Sequence, residues 1–167
     1  PVWKRVRKGI VRVFQSPWLF NELNGLQNIQ VARWRNQIFG GSEREIPEVV
    51  EEEGLKGEIL DTSPRDLPLL DVRRVEFAQK LASGPDFILL DEIFAGLNPE
   101  ETDELQRMVK DYNDKGATFL IIDHNLKALK KVVERVAVMH RGSKIAEGTY
   151  EEVTSDEHVK EVYMRGG

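Results

Sequence analysis

The chain has 167 residues, enough for one domain with a substantial core, and its 24 basic and 29 acidic residues leave a net charge of −5, which gives no global case for nucleic-acid binding. The absence of cysteine excludes disulfides, thiolate catalysis and cysteine-bound zinc. No apolar run approaches the ~20 residues of a membrane-spanning helix and no segment resembles a signal peptide, so any membrane role is expected to be peripheral.

Residues 1–12 carry Lys4, Arg5, Arg7, Lys8 and Arg12 beside Val2, Trp3 and Val6. They read as a solvated basic face next to a buried Trp3, with contact to lipid headgroups or phosphate as the sharper alternative. Ile10 to Gln15 is strand-like, and the turn-rich segment QSPWLFNELNGLQNI follows. A helix is predicted over Gly25–Phe39, with Leu26, Ile29, Trp34 and Ile38 available to pack. After Gly40-Gly41-Ser42, the Ser42/Glu45 spacing of a capping box predicts a helix over Glu43–Glu53 that stops at Gly54. The triplet Glu51-Glu52-Glu53 reads as a wet helix face, because adjacent helical residues do not converge on a metal. Residues 61–70 form a loop by their two prolines, and Asp71 is the expected N-cap of a helix through Ser83. The apolar face of that helix is Val72, Val75, Ala78, Leu81 and Ala82.

Phe87-Ile88-Leu89-Leu90 is an apolar run without alternation, which suits a strand buried on both faces of a parallel sheet. It ends in two carboxylates, Asp91 and Glu92. Ligands of such sheets collect beyond the carboxyl ends of the strands. One carboxylate there can hold magnesium, while its neighbour, turned the other way by strand alternation, can orient a water. Taken alone, the pair is more often just a solvated strand end than a catalytic one. Pro99 opens the next helix, which carries the stripe Leu105, Met108, Val109 and ends near Lys115-Gly116. The second apolar run, Thr118–Ile122, also ends in polar groups, Asp123-His124-Asn125. Strand, helix and strand at this spacing form a βαβ unit with parallel strands, so Asp91, Glu92 and His124 are expected to share one crevice. His124 alone would be a surface histidine, and His140 and His158 read as structural. A helix over Leu126–Glu134 precedes the strand Val136–Met139, and Arg141-Gly142-Ser143 turns it into a hairpin with Lys144–Gly148. Two short helices near 150–154 and 156–164 close the chain, the second with an apolar face of Val159, Val162 and Tyr163.

The segments FILLDE followed by AGLNP, then FLIIDHN, then VAVMHRGSKIAEGT resemble, in order and spacing, the nucleotide-binding subunit of ABC transporters. GLNPEET and DEHVKEVYMR are most similar to the ATPase subunits of branched-chain amino acid importers, with the lipopolysaccharide-export ATPase second. The resemblance spans essentially the whole chain but only the later part of such a subunit. No G-x-x-x-x-G-K-[ST] occurs here, and the family places that motif upstream of Pro1, so a fragment is expected. The implied fold class is α/β: a partial P-loop NTPase-like parallel sheet with flanking helices and a helical subdomain, its first strands and phosphate loop missing. The helical subdomain and signature region would cover about 16–83, and the catalytic core 1–15 and 84–167.

The resemblance implies magnesium-dependent ATP hydrolysis at the cytoplasmic face of the cell membrane, with ATP and Mg2+ as cofactors. Asp91 would enter the magnesium shell, Glu92 would polarise the attacking water and His124 would contact the γ-phosphate. Gln15 would sense magnesium and water while coupling to transmembrane permease subunits. Ala95, Gly96, Leu97 and Asn98 would meet a second ATPase subunit across a head-to-tail dimer. The family's signature is usually Leu-Ser-Gly-Gly-Gln, where this chain has Leu67-Pro68-Leu69-Leu70-Asp71. Pro68 has no N–H to donate, the leucines add bulk, and Asp71 would repel phosphate from a helix terminus that should attract it. Trans contact with ATP is therefore expected to be weakened, and Leu69 and Leu70 also read simply as core residues. Two smaller departures are Ile93 where proline is usual and Asn98 where aspartate is usual. The isolated chain is expected to bind ATP poorly. The rival expectation is a non-catalytic module in which the Gln15 region docks a membrane protein without using nucleotide.

Overall fold

The computed structural model describes residues 4–5, 8–39, 44–52 and 54–165. Trp3 and the Ser42 capping position lie outside them. The chain divides into two compact units, Pro1–His124 and Asn125–Gly167.

The first unit is built on a parallel sheet, β1 (Ile10–Val13), β2 (Phe87–Asp91) and β3 (Thr118–Ile122), in the order β1-β2-β3. Pairing starts at Gly9, whose carbonyl accepts from Asp86 and Phe87 N–H at 3.0 Å each. Gly9 has φ 71°, and a Cβ there would come within 2.6 Å of Asp86 Oδ2, so any other residue would be strained and would displace the Asp86 side chain. The register Val11↔Ile88↔Phe119 and Val13↔Leu90↔Ile121 places these six side chains on one face, where Val11, Val13, Ile88 and Leu90 are buried. The expectation of burial on both faces of β2 holds in part, with Ile88 and Leu90 buried but Phe87 and Leu89 half-buried, and the neighbouring β3 is more open still. Leu120 and Ile122, on the opposite face, are 50% and 58% exposed.

Helix α1 (Gly25–Phe39) has the predicted bounds, but Trp34 is exposed instead of packing. Asn28 is fully buried and clasps the chain before it, accepting from Phe20 N–H and donating to the carbonyls of Phe20, Leu23 and Asn24. Helix α2 is Ile46–Glu52, so Arg44 and Glu45 of the predicted span are not helical, while its predicted ends Glu43 and Glu53 lie outside the described residues. Pro47 occupies its first turn, where a missing N–H costs nothing, and Glu45 precedes the helix with its carbonyl accepting from Val49 N–H, so it is not the third residue of a capping box. A short helix α3 (Gly57–Asp61) and a 3-10 turn (Pro64–Asp66), both unforeseen, lead into α4 (Leu69–Leu81). The N-cap of α4 is Pro68, not Asp71, and no side chain caps it; Asp71 sits in the first turn. The helix is buried far beyond the predicted face, with Arg73, Val75, Glu76, Phe77, Ala78, Gln79 and Leu81 all inside. Helix α5 (Pro99–Asp114) starts as expected at proline. Asn98 is its N-cap, in a reciprocal capping box with Glu101.

The second unit contains α6 (Leu126–Leu129), the antiparallel hairpin β4 (Val136–His140) and β5 (Ser143–Gly148), and helices α7 (Tyr150–Ser155) and α8 (Glu157–Arg165). The predicted helix to Glu134 stops after one turn, since its short apolar spacing gives only Ala128 and Leu129 a buried position. Arg141 and Gly142 form the hairpin loop with φ 47° and 82°, the two left-handed residues of a type I′ turn. Val136, Val138, Val153 and Val159 make its core.

Candidate functional site

The site begins where β2 ends. Asp91 is still in register with Ile122, but Glu92 has φ 47°, a left-handed conformation rare for a side chain of this kind, and its N–H is held by Ile122 O at 2.8 Å. The backbone therefore departs from the strand at Glu92. The two carboxylates take different partners, Arg12 for Asp91 and Gln15 with His124 for Glu92.

Glu92 receives two partners. Gln15 Nε2 donates to Glu92 Oε2 at 2.6 Å, and His124 Nδ1 lies 3.3 Å from Glu92 Oε1. Gln15 comes from the segment just beyond β1 and His124 from just beyond β3, so the three strand ends converge as the βαβ reading requires. Asp91 turns elsewhere. Its Oδ2 accepts from Arg12 Nη2 at 2.5 Å, and Arg12 also stacks 4.6 Å from the centre of the Phe14 ring. Arg12 was not singled out in the sequence as a site residue. Its place two positions before the Phe14-Gln15 turn, on the strand paired with β2, was the available signal.

Gln15 is thus engaged with Glu92 instead of sharing Asp91. Among the described residues no group of three or more His, Asp or Glu side chains is gathered to hold a metal. A single half-buried carboxylate at a strand end suits magnesium, which keeps several waters and takes its other ligands from substrate phosphates. Asp91 is the residue fitted to that ion, and Arg12 is the cation now beside it.

Ala95, Gly96, Leu97 and Asn98 follow as a loop with Ala95 N–H bonded to Glu92 O at 3.2 Å and Leu97 N–H to Phe94 O at 3.3 Å. Ile93, in the place where proline is usual, is fully buried. The substituted signature lies against this loop: Leu69 Cδ2 is 3.1 Å from where a Cβ on Gly96 would stand. Leu70 is buried, whereas Leu69 is 36% exposed and so is not a plain core residue. Leu67 is half-buried and caps the 3-10 turn, and Pro68 is exposed. Asp71 does not stand as an uncompensated charge: its Oδ1 is 3.2 Å from Arg74 Nη1, and Arg74 also pairs with Glu104.

Comparison with known proteins bears on the family and the fold. Residues 143–164 match the family model described as branched-chain amino acid ATP-binding cassette transporter. The lipopolysaccharide export system ATP-binding protein LptB of Escherichia coli is 35% identical over 166 residues, covering 98% of this chain and 68% of that protein. The high-affinity branched-chain amino acid transport ATP-binding protein BraF of Pseudomonas aeruginosa is 33% identical over 181 residues, covering 98% and 71%. Among solved structures, an ATP-binding cassette of an ABC transporter in its ADP conformation superposes with a TM-score of 0.82 at 29% identity, covering 97% of this chain and 70% of that one.

Proposed function

The chain belongs to the family of ATP-binding subunits of ABC transporters, and from that premise we propose that it carries the water-orienting half of an ATP-hydrolysing site that energises transport. The observation that carries this proposal is the convergence of Gln15 and His124 on the two oxygens of Glu92 at 2.6 and 3.3 Å. A carboxylate held between a donor amide and an imidazole is a group whose lone pairs are aimed, and phosphoryl transfer is catalysed mainly by such positioning. Glu92 orients the attacking water, Gln15 fixes the carboxylate, and His124 offers its other ring nitrogen to the γ-phosphate. Asp91 holds magnesium, which supplies charge neutralisation on the phosphates when bound. No G-x-x-x-x-G-K-[ST] occurs in the 167 residues, and none of them is assigned to cradling the phosphates.

Residues 16–83 act as the helical subdomain and signature region, and residues 95–98 face a second ATPase subunit in a head-to-tail dimer. Partner permease subunits span the membrane, while the ATPase sits peripherally on its cytoplasmic face. Among the described residues no helix is long and apolar enough to cross a membrane. Uptake of branched-chain amino acids or similar solutes is the favoured transport, from the family match at 143–164, with lipopolysaccharide export as the alternative from the likeness to LptB.

Magnesium-dependent phosphate release from ATP, measured on the chain assembled with a second ATPase subunit, tests this. Turnover should fall about 100-fold or more in Glu92→Gln. Turnover indifferent to that change overturns the assignment, and ready turnover by the isolated chain overturns the need for an external phosphate cradle. A second function, docking without nucleotide use, is favoured by one observation. The start of α4 presents Pro68 and Leu69 in place of free backbone donors, with Leu69 against Gly96. Assembly with permease subunits at undiminished affinity in Glu92→Gln, with no nucleotide turnover in either form, would select it.

A further inference from the structure

Arg73 and Glu76 lie three residues apart on α4, and their side chains are 1% and 0% exposed. They are paired at 3.4 Å between Nη1 and Oε2. Burying such charges costs several kcal/mol per ion in general, and well-packed apolar residues of the same volume are often as stable or more so. Burial lowers the Arg73 pKa, and it pushes the Glu76 carboxyl up despite the Trp18 N–H, Lys80 and Arg73 beside it. The ion pair by itself is therefore weak evidence of a purely stabilising role.

Their other contacts point to a different role. Arg73 Nη1 donates to Phe14 O at 2.7 Å and Nη2 donates to Gln15 O. Glu76 Oε1 accepts from Trp18 N–H at 3.1 Å. Three backbone groups of the segment 14–18 are thus gripped by two side chains from one helix. Strand β1 ends at Val13, so the ladder no longer fixes the backbone that follows. Successive carbonyls of a strand point to opposite sides. For Phe14 O and Gln15 O to meet one guanidinium, the chain has to turn at that peptide, and this turn brings the Gln15 side chain to Glu92. A planar fork of fixed N–H groups can hold two carbonyls at once; a lysine ammonium is a point donor on a flexible stem.

We propose that Arg73, braced by Glu76, is a positioning residue that sets the backbone at Phe14 and Gln15 so that the Gln15 amide reaches the Glu92 carboxylate. The proposal rests on the water-orienting assignment of Glu92 for its functional meaning, but not for its geometry. It makes the buried middle of α4 a mechanical link between the region that begins at Leu67 and the carboxylate at the end of β2. Docking or nucleotide contact that shifts α4 would then be felt at Glu92 through Gln15.

Nuclear magnetic resonance of the isotopically labelled chain tests this without requiring turnover. In the wild type the Gln15 side-chain amide should be displaced from the position of a free glutamine and should return to it in Glu92→Ala. In Arg73→Met it should stand at the free position, while the Gln79 amide, which donates to Asn28 O at 3.0 Å inside the same packing, keeps its signal. Arg73→Lys, which retains the charge beside Glu76, should give an intermediate displacement. A Gln15 amide still fully displaced in Arg73→Met with the Gln79 signal intact overturns the proposal. Should Arg73→Met not fold, Arg73→Lys decides: full retention of the displacement overturns it and partial loss supports it. The carbonyl carbons of Phe14 and Gln15 report the clamp directly. If they move in the Arg73 variants while Gln15 ignores Glu92→Ala, the clamp stands and the pairing assigned under the proposed function fails.

Discussion

Arg12 Nη2 and Asp91 Oδ2 are 2.5 Å apart on the same face of the sheet, so the carboxylate proposed to hold magnesium has a protein cation as its partner. The pair is about half-exposed on the arginine side, and exposed ion pairs contribute roughly 0.2–1 kcal/mol. Arg12→Gln should therefore change stability by less than about 1 kcal/mol. It should strengthen divalent-ion binding by freeing Asp91, read as paramagnetic broadening of Asp91 signals at lower Mn2+ concentration. Broadening at unchanged or higher concentration would show that Arg12 does not compete.

Gly96 is left-handed at φ 83° and has Leu69 Cδ2 3.1 Å from its missing Cβ. Gly96→Ala should cost roughly 1–2 kcal/mol from the backbone conformation alone. That is a fall of roughly 2–8 °C in thermal midpoint at this chain length. Adding Leu69→Ala should recover only the part due to contact, so the double variant stays below the Leu69→Ala single variant. Equal midpoints for those two would show that the loop relaxes freely.

Asn98 caps α5 through Glu101 N–H at 2.9 Å, while Glu101 Oε2 accepts from Asn98 N–H at 2.8 Å. Asn98→Ala should lose about 1 kcal/mol, whereas Asn98→Asp, restoring the residue usual in the family, should be neutral or slightly stabilising at a helix N-terminus. Chemical denaturation midpoints compare the two variants with the wild type. Destabilisation by Asn98→Asp would point to a negative potential at this loop.

Glu52 accepts from Arg44 at 2.7 Å and from Tyr112 OH at 3.1 Å, and lies 3.1 Å from Lys115 Nζ. Burial pushes its carboxyl up, but these donors outweigh burial and hold it below its ordinary value. A depressed carboxylate pKa stabilises the fold above the unfolded pKa, and that contribution is lost as the pH falls through the folded value. Glu52→Gln should thus be destabilised by about 1 kcal/mol at neutral pH, with the gap to wild type closing as the pH falls below about 4. A gap that persists at acid pH would assign the loss to packing.

The parallel strands, the proline start of α5 and the hairpin were legible because short apolar runs and the signals beside them are local: Asn98-Pro99 and Arg141-Gly142 carry their own conformations. Glu92 and His124 were legible as strand-end residues for the same reason. Less visible was what depends on distant packing. Asp71 looked like an N-cap, yet the helix begins at Leu69, because Pro68 already supplies the extended conformation before it and Asp71 is drawn to Arg74. Leu126–Glu134 had helical spacing but only one turn of it finds a core. Nothing in the sequence singled out Arg73 and Glu76, whose partners on residues 14–18 are distant in the chain and come together only in the fold.

The left-handed turn at Glu92 couples aim to folding cost in a single residue. A non-glycine side chain there sacrifices roughly 1–2 kcal/mol that glycine would not. Glu92→Gly would therefore relax the strand end while deleting its carboxylate, so thermal stability and the role proposed for this carboxylate pull in opposite directions at one position. Glu92→Asn, which tolerates the same φ, is the variant that separates loss of the acid from relief of strain.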